Sequence, residues 1–167
     1  AIQFNDLSYQ NGLFVACGRF SEDPYRYYQS AEYGDGVVLF SEDGENWTVQ
    51  LISTAGALNS VAWDGTRWIA AGDDGVLLSW RDFFWDEIPS PTTENIQEVF
   101  FANGQVVIGT QGGNLFSSSD RTTWAHQARL QSNLINLVEN GSHIAALSDR
   151  GVWLSEFKVD GSADIVG

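Results

Sequence analysis

Three short stretches set a carboxylate between a serine and a tryptophan: SEDGENW at Ser41–Trp47, SWRDFFW at Ser79–Trp85 and SSDRTTW at Ser118–Trp124. A carboxylate held in a turn can ligate a divalent cation, serve as a general acid or base, or accept hydrogen bonds from backbone N–H groups that the turn leaves unpaired. Further acids sit in AGDDG (Asp73, Asp74) and YGDG (Asp35), where they could contribute oxygens to a calcium ion. They lack the alternating ligand spacing of a dedicated calcium loop, so turn chemistry is the better reading and no cofactor is expected. His126 and His143 are the only histidines and have no metal partner at ligand spacing. No serine sits in a nucleophile elbow, and no glycine-rich phosphate loop is present. The single cysteine, Cys17, lies in the apolar run LFVACG and reads as a small buried hydrophobe. One cysteine allows neither an internal disulfide nor a thiolate metal cage.

Composition narrows the partners. The 167 residues include 22 acidic and 8 basic side chains, a formal net charge of −14. Such a surface repels the phosphates of nucleic acid and of anionic membranes. No apolar run approaches the ~20 residues that a helical membrane span needs. With 43% hydrophobic and 13% aromatic residues, the chain is equipped to bury a core.

The elements that must position these side chains repeat. The three tryptophans Trp47, Trp85 and Trp124 are 38 and 39 residues apart. Ahead of each stretch comes an apolar run (LFVACG, RWIAAGD, QVVIGTQ), and a fourth, SHIAALSD, follows them. Each run is preceded by a turn pair: Asn11-Gly12, Asp64-Gly65, Asn103-Gly104 and Asn140-Gly141. Such pairs favour two-residue hairpins, because a type I′ turn needs positive φ at both positions. Each unit therefore reads as four short antiparallel strands, and β-branched and aromatic content with no 3.6-residue period favours strands over helices. Approximate units are 1–54, 55–92, 93–130 and 131–167, the last lacking a serine–acid–tryptophan stretch. Four-stranded units of about 40 residues predict an all-β fold, a β-propeller of four blades. A hairpin solenoid is the alternative. A closed four-bladed ring and a segment of a larger propeller both remain open.

The three stretches resemble the Asp-box, or BNR repeat, of sialidases and many other propellers. Ser41, Asp43, Gly44 and Trp47 match its shortened form. The third stretch keeps Ser118, Asp120 and Trp124, with Arg121 in place of glycine. The second keeps Ser79 and Trp85 and displaces the acid to Asp82. The resemblance implies a structural role: serine and aspartate tie the turn, and the tryptophan fills the groove between blades. On that basis Trp47, Trp85 and Trp124 are expected to be equivalent inter-blade packers. A sialidase would also need three clustered arginines and its Phe/Tyr-Arg-Ile-Pro motif. That motif is absent, and Arg19, Arg67 and Arg150 are at most a partial cluster, so no catalytic residues are expected. A fragment of a sialidase-like glycoside hydrolase is the alternative.

One stretch departs from the repeat. Residues 19–35 form an insertion between the second and third strands of the first unit, rich in Tyr25, Arg26, Tyr27, Tyr28 and Tyr33. Tyrosines offer rigid contact area with a polar tip and stack on sugar rings, and long loops on rigid scaffolds carry function. The expectation is a non-enzymatic module that recognises a glycan or a partner protein through this loop. The alternative is a purely architectural part of a homo-oligomer or larger assembly. A loose resemblance to secreted bacterial and bacteriophage tail repeats implies an extracellular or virion surface.

Overall fold

The structure is a computed structural model that describes residues 1–20, 35–52, 56–81, 83–140, 143–157 and 163–166. It is all-β, with four four-stranded antiparallel sheets arranged as a four-blade β-propeller. Blade 1 holds β1 (Ile2–Gln10), β2 (Leu13–Phe20), β3 (Gly36–Ser41) and β4 (Thr48–Ile52). Blade 2 holds β5 (Leu58–Trp63), β6 (Trp68–Gly72), β7 (Leu77–Arg81) and β8 (Phe84–Glu87). Blade 3 holds β9 (Ile96–Ala102), β10 (Gln105–Thr110), β11 (Asn114–Ser118) and β12 (Ala125–Arg129). Blade 4 holds β13 (Leu134–Glu139), β14 (His143–Ser148), β15 (Gly151–Phe157) and β16 (Ala163–Val166). Every sheet is a simple meander in chain order, as the repeat predicts. Among the described residues no helix is long and apolar enough to cross a membrane.

The turn pairs behave as their chemistry demands at two of the four places. Asn11-Gly12 and Asn103-Gly104 both take positive φ, which Asn and Gly tolerate best. Asp64-Gly65 instead opens a four-residue loop between Trp63 and Trp68, which pair across the strands. There the Asp64 carboxylate accepts from Thr66 N and Arg67 N at 2.9 and 2.7 Å. Gly141 lies outside the described residues.

Each innermost strand carries a bulge near its start: after Phe4, the third residue of β1, and after Leu58, Ile96 and Leu134, the first residues of β5, β9 and β13. The bulges fix the register, so residues of one blade can be matched to those of the next. The cores lie between blades. Val15, Cys17 and Val38 of blade 1 pack on Leu58, Val61 and Trp68 of blade 2. Ile69, Ala71 and Leu77 of blade 2 meet Ile96, Val99 and Ile108 of blade 3. Val107 and Leu115 of blade 3 meet Leu134, Leu137 and Ile144 of blade 4. Gly109 belongs to this last seam, because a Cβ there would come within 2.4 Å of Leu134 Cδ2. Successive inner strands touch in the order β1, β5, β9, β13, and no comparable contact joins β13 to β1 among the described residues.

Candidate binding face

A meander sends its β1–β2 and β3–β4 type turns to one end of the blades, and its β2–β3 type turns and blade-to-blade linkers to the other. The three serine–acid–tryptophan stretches lie at the first end. In the first of them Ser41 Oγ donates to Asp43 Oδ1 (3.0 Å) and accepts from Gly44 N (2.8 Å). Asp43 Oδ1 also accepts from Glu45 N and Asn46 N at 2.9 and 2.8 Å. The turn at Ser118–Trp124 repeats the pattern: Ser118 Oγ donates to Asp120 Oδ1, which accepts from Thr122 N and Thr123 N. These bonds hold both carboxyls well below the usual range, Asp43 chiefly through Asn46 and Asp120 chiefly through Thr123 N. Both acids are committed to their own turns.

The second stretch is a different structure. Trp80 pairs with Trp85 and Arg81 with Phe84, so β7 and β8 meet in a tight two-residue hairpin. The register matches Ser79 to Ser117, not to Ser118, and the buried Ser79 Oγ has no hydrogen-bond partner. Asp82 lies outside the described residues. Trp80 occupies the place of the tying serine, a one-residue offset that the spacing of Ser79 and Trp85 concealed.

Nor are the three tryptophans equivalent. Trp124 donates from Nε1 to Pro89 O (2.8 Å) in the linker from blade 2 and packs on the blade 2–3 core. Trp85 lies beside Trp80, which in turn stacks on Phe40 of blade 1. Trp47 is exposed, donates to its own turn at Gly44 O (3.0 Å) and rests near Phe14 of its own blade. Arg121 takes φ +66° where Gly44 takes +77°. In exchange it reaches blade 2, pairing through Nε with buried Asp64 Oδ2 and donating from Nη2 to Thr66 Oγ1 (2.6 Å).

The opposite end is organised differently. Its linkers are pinned by one repeated backbone bond, Asp73 N to Ala57 O, Gln111 N to Asn95 O and Asp149 N to Asn133 O. Glu94 accepts from Thr110 Oγ1 and from Asn114 Nδ2, and the Thr110 bond is the chief reason its carboxyl is held low. Between blades 3 and 4 lies an open crevice of about 560 Å³, lined by Gly112, Arg129, Gln131, Asn133, Asp149 and Arg150 among others. Neither guanidinium in it forms an ion pair among the described residues. The partial cluster of Arg19, Arg67 and Arg150 does not assemble: Arg67 sits at the other end, and Arg19 Nε donates to Gln3 Oε1. The insertion starts from and returns to this crevice end, where Phe20 N donates to Asp35 O at 3.0 Å. Tyr25, Arg26, Tyr27, Tyr28 and Tyr33 lie outside the described residues.

Sequence reasoning missed a third constellation. Asp6, Ser60, Glu98 and Asn136 hold the same position after the bulge in β1, β5, β9 and β13, and each reaches the next. Asp6 Oδ2 accepts from Val61 N (2.8 Å) and Ser60 Oγ (3.1 Å). Ser60 Oγ accepts from Val99 N (3.1 Å) and lies 3.2 Å from Glu98 Oε2, while Asn136 Nδ2 donates to Glu98 Oε1 (3.2 Å). Burial, and then the charge of Asp6, push the Glu98 carboxyl up to about 7. Ser60 Oγ lies within donating distance of both Asp6 Oδ2 and Glu98 Oε2, so its single hydroxyl hydrogen links the two carboxyl groups across the row. The 38-residue spacing of Ser60, Glu98 and Asn136 was the available signal. Among the described residues no group of three or more His, Cys, Asp or Glu could hold a metal ion.

The fold resembles solved propellers. YCF48 bound to D1 peptide matches 80% of this chain and 52% of its own, at 18% identity and TM-score 0.60. The WD40 propeller domain of Doa1 matches 98% of this chain and 54% of its own, at 14% identity and TM-score 0.62. The computationally designed protein Ika4 matches 93% of this chain and 92% of its own, at 14% identity and TM-score 0.65. The chain thus spans about half the length of the first two and nearly all of the third. No protein-family model matches the sequence, and no curated protein does. At these identities the likeness carries the β-propeller fold, with no Asp-box family match beside it.

Proposed function

We propose that this propeller is a non-catalytic binding module that takes an extended, carboxylate-bearing polypeptide segment at its crevice end. The observation that supports it is the pair Arg129 and Arg150, placed in one crevice between blades 3 and 4 of a chain with net charge −14. A guanidinium can receive a carboxylate through two parallel N–H donors. The surrounding acidic surface would reject segments that offer negative charge anywhere else, which gives selectivity as well as attraction. A related propeller, YCF48, has been solved with a peptide bound, which lends the reading a precedent in the fold. The reading requires no metal or cofactor.

The test is a selection of displayed random peptides against the whole chain, followed by titration of the winners against Arg129→Glu/Arg150→Glu. Acidic winners that lose at least about tenfold in affinity, or 1.4 kcal/mol, support the reading. Selection that yields no binder overturns it. The finer alternative is a glycan held by the tyrosines of the insertion. A glycan array bound by the parent chain and lost in Tyr27→Ala/Tyr28→Ala would transfer the function to that loop.

A further inference from the structure

The bulge register allows each blade's buried residues to be checked against their counterparts, and the terminal blades fail the comparison in a complementary way. The residue before the bulge is buried against the preceding blade at Leu58 (0% exposed), Ile96 and Leu134. Its counterpart in blade 1, Phe4, is 57% exposed. Leu7 is likewise exposed, whereas its counterparts Val61, Val99 and Leu137 are buried. Trp124 packs toward the preceding blade, and its counterpart Trp47 is exposed. The amides tell the same story. Val61 N and Val99 N are each taken by a side chain of the preceding blade, Asp6 and Ser60, while Leu7 N turns to its own Asp6 Oδ1 at 2.7 Å.

Blade 4 shows the converse. Val38, Leu77 (0%) and Leu115 are buried against the following blade, and their counterpart Val152 is 71% exposed. Leu147 is exposed where Cys17 and Ala71 are fully buried. Leu154, the counterpart of the Phe40 that stacks across the first seam, is exposed as well. Blade 1 therefore presents one half of a blade seam and blade 4 presents the other. Among the described residues no contact comparable to the three seams joins these halves.

We propose that two copies of this chain close a single ring of eight blades, blade 4 of each copy packing on blade 1 of the other. The occupant is a second copy because each free face is the mate of the other face and not of itself. One further copy supplies both missing mates and leaves none over. The three seams within the chain provide the geometry, since a fourth of the same kind continues the array. Asn136, last in the polar row, would then face the Leu7 amide of the second copy. The four blades also follow the arc of larger rings, covering 54% of the Doa1 propeller at a TM-score of 0.62. Contiguous exposed apolar faces of this kind mark association sites, and a two-fold ring with two heterologous seams is a closed assembly.

Light scattering coupled to size exclusion tests this on the whole chain, with Phe4→Asp and Val152→Asp as variants. Both positions are exposed, so the variants should keep the parent's circular dichroism. The parent should run at twice the chain mass, and each variant alone should fall to the monomer mass, because each substitution damages both seams. An equimolar mixture of the two variants should recover dimers by native mass spectrometry, since the mixed pair contains one seam with no substitution. A parent that stays monomeric, a variant that remains dimeric, or a mixture that does not reassociate would each overturn the proposal.

Discussion

The seam between blades 2 and 3 and the seam between blades 3 and 4 are built on the same register, yet they are fastened differently. At the first, Asn59 in the bulge donates to Ile96 O (3.0 Å) and Asp73 Oδ1 (3.0 Å), and Arg121 ties blade 3 to Asp64. Asn5 makes the same bulge bond one seam earlier, to Leu58 O at 2.8 Å. At the second seam the bulge residue is Gln97, which makes no such bond, and the polar links are Asn136 Nδ2 to Glu98 Oε1 and the backbone bond from Leu134 N to Gln111 O (3.1 Å). The crevice with Arg129 and Arg150 opens at this less tightly latched seam. Apolar packing sets where the blades meet, and the polar latch sets how firmly. The crevice proposed for binding lies at the seam without the bulge bond.

The comparison can be broken most forcefully through the packing that both seams share. Ile96→Ala should lower unfolding free energy by about 2–5 kcal/mol in denaturant titrations, and Leu134→Ala by a similar amount. A much smaller loss at one seam would show that its register is misassigned. Removing the clamp comes next: Arg121→Ala leaves the buried Asp64 carboxylate without its cation and should cost about 1–3 kcal/mol. Since Arg121 is partly exposed, the lower half of that range is expected. Asn59→Ala strips Ile96 O of its donor, at about 1–2 kcal/mol. Gln97→Asn is the reciprocal change: an asparagine there should restore the latch to Leu134 O and raise stability by about 0.5–1.5 kcal/mol. If it lowered stability instead, the bulge bond would not be transferable between seams.

A further effect is pH-dependent. Glu98 titrates near 7 in the folded chain against an ordinary 4.5. Between those values the folded protein holds a proton that the unfolded chain has released, so stability falls as pH rises across that window. Glu98→Gln should flatten this slope in melting temperatures recorded from pH 4.5 to 8, with its largest gain at the alkaline end.

Much of the fold was legible in the spacing of a few residues. The recurring tryptophans and the turn pairs from Asn11 to Asn140 marked out four four-stranded sheets, because short strands with fixed hairpins must recur at the period of the blade. The exchange of Gly44 for Arg121 was visible as a departure, but not the contact with Asp64 that accompanies it, since spacing does not reveal what a neighbouring blade presents. SWRDFFW misled because Ser79 and Trp85 keep their separation while the two-residue hairpin shifts the register by one. In a strand such a shift sends every side chain to the other face. The inequivalence of Trp47 was hidden for a related reason: burial of a seam residue depends on a blade that is distant in sequence. The polar row from Asp6 to Asn136 went unseen because four different side chains fill one position. Its common feature is geometric, the place after a bulge.

Cys17 deserves a use beyond packing. It is the chain's one thiol, it is fully buried in the first seam, and its Sγ lies 3.7 Å from Leu58 O. Burial foremost, and then the nearby Asp6 charge, hold the thiol far above its usual ionisation range. A thiol reagent can therefore react only while blades 1 and 2 stand apart. The modification rate, divided by that of a free thiol, becomes a clock that reads the opening free energy of a single seam without any engineered label.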